Sequence, residues 1–98
     1  MADIIKMNYG QMEEMAQAFA QGAQQLETTI SEMNTLAQMM ENGGLMGDAG
    51  DSFTDAIRSA LIPSIQRLMD KFTELQGDIL GAMQDMQQAD QDSSRLYG

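Results

Sequence analysis

The chain has 98 residues, and its five basic and fifteen acidic side chains give a formal net charge of −10. That excess of negative charge repels phosphate backbones and anionic lipid headgroups, so nucleic-acid and membrane-surface roles are disfavoured. The absence of cysteine and histidine removes disulfide, thiol and imidazole chemistry, so we expect no enzyme, no metal site and no cofactor.

The start of the chain predicts no leader sequence. Residues 1–10 lack the apolar core of a signal peptide, and no apolar run in the chain reaches the roughly 18 residues of a membrane span. We therefore expect no membrane insertion, and any export must take another route. The length suffices for a single domain over 1–98, but one pair of helices of this size buries too little surface to be comfortably stable, so an oligomer is expected.

The first periodic segment predicts a helix over about 9–41. Apolar residues recur along it with alternating spacings of three and four, the pattern of a helix-packing seam. Asn8, with Gln11 three residues later, is an acceptable N-terminal cap, and Asn42-Gly43-Gly44 is a strong stop. We expect this seam to face another helix within the chain or in a partner; its members are Met12, Met15, Phe19, Leu26, Ile30 and Met33.

The second periodic segment predicts a helix over about 48–89, joined to the first by a turn at 42–47. Pro63 removes one backbone donor and crowds the preceding turn. The apolar phase continues unchanged on both sides of it, so we expect a bend and not a break. No apolar residue occurs in the first five positions of 90–98, which predicts a flexible acidic tail. The seam of the second helix contains Leu68, Phe72, Leu75 and Ile79.

The fold class predicted from these segments is all-α. Two long helices joined by a short connection fold back as an antiparallel hairpin. A second apolar row widens the first helix's stripe beyond what one partner helix covers, so two hairpins are expected to dimerise into a four-helix bundle. The members of that row are Ala16, Ala23, Ile30 and Ala37.

Three glycines stand inside the predicted helices, at Gly22, Gly77 and Gly81. Each costs about 1 kcal/mol relative to alanine. A close approach of the two helices would offset that cost, and glycine tolerated on the surface is the alternative.

The connection from Gly44 to Phe53 reads GLMGDAGDSF. It resembles the turn of the WXG family, also called ESAT-six-like proteins, in which Trp-Xaa-Gly is followed by a small residue two positions on and often by an aromatic. Gly47, Ala49 and Phe53 match that pattern, while Leu45 stands where the family has its tryptophan. A large apolar residue before a permissive glycine can still plug the hairpin end.

Near the other end, Met86-Gln87-Gln88-Ala89-Asp90 is similar to the family's carboxy-terminal secretion motif, an aromatic followed by an acidic residue four positions later. Asp90 matches the motif and Met86 replaces the aromatic. Residues four apart share one face of a helix, so the two would present an apolar and an anionic group together for recognition by a partner.

The resemblance implies a small substrate or adaptor of a type VII secretion system, made in the cytoplasm and exported to the cell surface or medium without a cleavable signal peptide. It implies recognition by the system's membrane ATPase, and a role in virulence or interbacterial competition. A homodimer is favoured because two-fold self-association is the commonest arrangement. A heterodimer with another small helical hairpin, or with the helical N-terminal domain of a secreted toxin, stays open.

Two other functions fit a short helical hairpin. One is a structural subunit of the needle or filament of another secretion apparatus, which would polymerise head to tail. The other is an intracellular coiled-coil adaptor unrelated to export.

Overall fold

A computed structural model of the protein describes residues 8–44 and 47–97. In this part of the chain all regular structure is helical, and the prediction of an all-α fold is confirmed. The first arm of the molecule is helix α1, which ends in a wider π-helical turn. The second arm has helix α2, a π-helical turn and helix α3 in unbroken succession. The bounds are α1 Tyr9–Met39, first π turn Met40–Gly44, α2 Asp48–Ala56, second π turn Ile57–Leu61 and α3 Ile62–Tyr97.

The two arms form an antiparallel hairpin. Contacts between them pair early residues of one arm with late residues of the other, as an antiparallel arrangement requires. The described hairpin is a rod of 74 × 22 × 16 Å. These contacts join Tyr9 to Asp90, Phe19 to Phe72 and Glu41 to Arg58.

Helix α1 begins and ends at signals that the sequence contains. The Asn8 side chain accepts a hydrogen bond from the Gln11 backbone N–H at 2.8 Å, and the Gln11 side chain accepts one from the Asn8 N–H at 3.3 Å. This capping box satisfies two otherwise unpaired donors. At the other end Gly43 has φ +99°, in the left-handed region that glycine adopts without a steric penalty.

The chain accommodates Pro63 by widening the turn before it. The Ile62 N–H donates to the Ile57 carbonyl oxygen, five residues back, so the ring of Pro63 meets a π turn in place of a regular α-turn. The second arm remains helical through this point, and the prediction that Pro63 does not break the helix is confirmed.

The prediction of an unchanged apolar phase is wrong. The inward-facing positions are seven residues apart up to the start of the π turn, and they are again seven apart after it. Across the turn the spacing is eight, because the turn holds one extra residue. These positions are Gly50 in α2, Ile57 at the first residue of the turn, and Ile65, Phe72 and Ile79 after it.

The predicted end of the second helix is also corrected, because α3 continues past residue 89 to Tyr97. Nothing in the sequence from Ala82 to Tyr97 stops a helix, since this stretch contains neither glycine nor proline. Within it the Gln88 side-chain amide donates to the Asp92 carboxylate one turn later, at 3.1 Å. The polar composition of the chain after residue 89 is therefore not enough to end the helix.

The core of the hairpin is thin. Its buried apolar residues are Met12, Ala16, Ala37 and Ile57, and most other residues between the arms are only half-buried. The rings of Phe19 and Phe72 meet edge to face with centroids 5.3 Å apart and planes at 76°. No helix in the described ranges combines the length and apolarity needed to cross a membrane.

Candidate partner-binding surface

The turn motif lies at the start of the second arm. Gly47 precedes α2 with φ +79° and ψ −160°, a conformation that is essentially restricted to glycine. Ala49 is exposed, and Phe53 is 57% exposed, so the phenyl ring does not fill the hairpin end within one chain. Leu45 lies outside the described residues.

Other residues hold this end of the hairpin together. Ala37 of the first arm and Ile57 of the second are buried. The Arg58 guanidinium lies 2.6 Å from the Glu41 carboxylate, with both side chains about half exposed. This ion pair could not be predicted from the sequence, because seventeen positions separate the two residues and no local spacing marks them as partners.

Most residues of the predicted packing seams lie between the two arms. Met12 is buried, while Met15 and Leu68 are exposed. The members that are half-buried are Phe19, Leu26, Ile30, Met33, Phe72, Leu75 and Ile79. The structure therefore uses most of the seam to hold the hairpin together, and it leaves uncovered a row that includes the seam residues Met15 and Leu68.

That uncovered row is the outer apolar face. Each member comes three positions after an inward-facing residue. This spacing rotates its side chain about 60° around the helix axis, relative to that inward-facing residue, and the direction of the rotation is the same for every member. Exposed fractions reach 47% at Leu68 and 57% at Phe53. The members are Met15 and Leu36 on the first arm, and Phe53 and Leu68 on the second.

By helix geometry these four residues lie on one side of the hairpin. Two antiparallel helices are related by a two-fold axis that is perpendicular to the plane containing both helix axes. The same rotation of about 60° along each chain therefore brings the exposed row of the first arm and the exposed row of the second arm to the same side of that plane. Scattered surface hydrophobics are ordinary, but a row that follows both arms is typical of a helix-packing interface.

The open end of the hairpin joins the start of the first arm to the end of the second. The Tyr9 hydroxyl donates to Oδ2 of Asp90 at 2.6 Å. Met86, one turn before Asp90 on the same face of α3, is 40% exposed. Sequence analysis identified Met86 and Asp90 but missed Tyr9, which lies 81 positions from Asp90.

Asp90 changes the acidity of its partner. The hydrogen bond to Asp90 raises the pKa of the Tyr9 hydroxyl above its ordinary value of 10.0, and desolvation and the carboxylate charge act in the same direction. The neutral phenol, which can donate the hydrogen bond, is thus the form that the folded chain favours.

The described surface offers no arrangement of three or more acidic side chains that could hold a metal ion. The acidic residues Asp48 and Asp51 instead lie in the first turn of α2, where the helix dipole favours negative charge. What the surface does offer is an apolar face for another helix and, at the open end, a carboxylate beside a thioether.

A family described as proteins of 100 residues with WXG matches residues 4–91 of the chain. No curated protein and no solved structure matches.

Proposed function

Because the chain belongs to the WXG100 family, we propose that it is a small secreted substrate or adaptor of a type VII secretion system that acts by packing its helices against a partner. The single observation that carries this proposal is the family match over most of the chain. The outer apolar face supports it, because no element among residues 8–44 and 47–97 covers that face.

The surface area supports a permanent partner. The chain exposes 7234 Å², whereas a compact monomer of 10.8 kDa is expected to expose about 5,500 Å² from size scaling. The excess is larger than the roughly 800 Å² that each subunit buries in a standard interface. A second copy seated on the outer apolar face would cover this surface and complete a four-helix bundle.

The proposed recognition site for the secretion ATPase is the pair Met86 and Asp90. Both side chains are exposed and lie one turn apart on α3, so a partner can contact them together. Phe53 and the turn motif are proposed to pack against the partner hairpin, since the Phe53 ring is left mostly exposed by its own chain.

The test is the fraction of the chain that the producing cells release into the medium. We expect the intact chain to be released, and a variant carrying both Met86→Ala and Asp90→Ala to stay inside. Asp85→Ala is the matched control: Asp85 is an exposed acidic residue on the same helix but is turned about 140° away from Asp90.

Three results would count against the proposal. They are retention of the intact chain in cells, unchanged release of the Met86/Asp90 double variant, and equal loss of release in Asp85→Ala. Open-ended growth of particles in light scattering would instead favour the needle or filament subunit, and a closed dimer that never leaves the cell would favour the intracellular adaptor.

A further inference from the structure

The hydrogen bond between Tyr9 and Asp90 joins the first turn of α1 to the last part of α3. Its length of 2.6 Å is typical of a hydroxyl bonded to a charged carboxylate. A side chain from one end of the chain is therefore in direct contact with the group proposed as the recognition point at the other end.

The contact leaves Asp90 accessible. A carboxylate has two oxygens and about four acceptor positions, and the Tyr9 hydroxyl occupies one of them, on Oδ2. Asp90 is exposed, so the other oxygen can still accept hydrogen bonds from a partner. Met86 is 40% exposed, and its position four residues before Asp90 puts an apolar group one helical turn away on the same face.

We infer that Tyr9 is a positioning residue of the recognition site, which is built from both ends of the chain and not from the carboxy-terminal helix alone. An exposed aspartate on a helix samples several rotamers, and a partner must restrict them on binding. The Tyr9 hydroxyl holds the Asp90 carboxylate in one orientation beforehand, which lowers that ordering cost. This inference rests on the proposed function.

The arrangement also defines the chemistry of the partner's site. A cationic side chain, with arginine best suited to a carboxylate, would meet the free oxygen of Asp90. An apolar pocket beside it would take Met86. Both requirements follow from a surface that presents one anionic and one apolar group a helical turn apart.

The experiment compares the release of four chains into the medium: intact, Tyr9→Phe, Asp90→Ala and Gly22→Ala. Tyr9→Phe keeps the ring and removes only the donor, and we expect release to fall by roughly two- to tenfold, because the partner must then order one more side chain on binding. Gly22→Ala is the stability control, because it disturbs the packing against Phe72 far from the open end. We expect Gly22→Ala to be released like the intact chain.

The outcomes separate this inference from the proposed function. Retention of the intact chain overturns the function itself. Loss of release in Asp90→Ala with normal release of Tyr9→Phe leaves the function standing and overturns the role of Tyr9. Increased release of Tyr9→Phe would mean that the hydroxyl masks Asp90, and equal loss in Gly22→Ala would mean that release follows stability; either result overturns the inference.

Discussion

Gly22 and Gly77 are both helical glycines, yet their surroundings are opposite. A Cβ atom at position 22 would lie 2.6 Å from Cε2 of Phe72, and the Phe72 ring also contacts Phe19. A Cβ atom at position 77 would have no neighbouring atom within 4 Å. Gly22→Ala should destabilise the fold by about 1 kcal/mol or more through overpacking. Gly77→Ala should stabilise it by roughly 0.5–1 kcal/mol through helix propensity. Urea unfolding at equal protein concentrations measures both, and equal shifts in the two variants would contradict this reading.

Tyr9 provides a second prediction at the scale of single residues. Its raised pKa means that the unfolded chain loses the phenolic proton first as the pH rises. The stability contributed by the Tyr9–Asp90 bond is therefore fully present below pH 10.0, the ordinary tyrosine value, and is lost as the pH rises through the raised value of the folded state.

The shift can be measured by following tyrosinate absorbance in a Tyr97→Phe background, which leaves Tyr9 as the one tyrosine. Asp90→Ala should lower the pKa of Tyr9 toward its ordinary value, because the acceptor and its charge are both removed. Asp85→Ala, which removes a carboxylate from another face of α3, should leave the titration unchanged. A Tyr9 titration that is insensitive to Asp90→Ala would show that the hydrogen bond does not persist in solution.

The π turn in the second arm carries a prediction at the scale of the helix. Proline in a regular α-helix costs about 3 kcal/mol, but Pro63 follows a turn that is already widened. We expect Pro63→Ala to change the free energy of unfolding by less than about 1 kcal/mol, and Thr73→Pro, in the regular part of α3, to cost about 3 kcal/mol. Thermal unfolding followed by circular dichroism gives the comparison, and a large gain from Pro63→Ala would mean that the turn stores the proline's strain.

At the scale of the whole molecule, the outer apolar face predicts which leucines a partner covers. Leu68 is 47% exposed and belongs to this face, and Leu80 is 42% exposed but is turned to the opposite side of α3. We expect the intact chain to sediment as a dimer, Leu68→Asp as a monomer and Leu80→Asp as a dimer, because a charge buried in an apolar interface is costly. A well-folded intact monomer, or dissociation caused only by Leu80→Asp, would place the interface elsewhere or remove it.

Part of the proposed recognition site could be read from local spacing. Met86 and Asp90 are four residues apart, so on a helix they share one face, and the structure places both on an exposed stretch of α3. Tyr9 and the Glu41–Arg58 ion pair could not be read this way. Their partners lie on the other arm, and the identity of a cross-arm neighbour depends on the register of the hairpin, which no short window of sequence contains.

The sequence by itself determined the helical class, the capped start at Asn8 and the stop at Gly43, because each depends on residues within a turn or two of one another. Only the tertiary structure decided which of the apolar residues face inward and where the phase shifts around Ile57–Leu61. Those features depend on contacts between side chains that are distant in sequence, and the one extra residue of the π turn redirects every position that follows it.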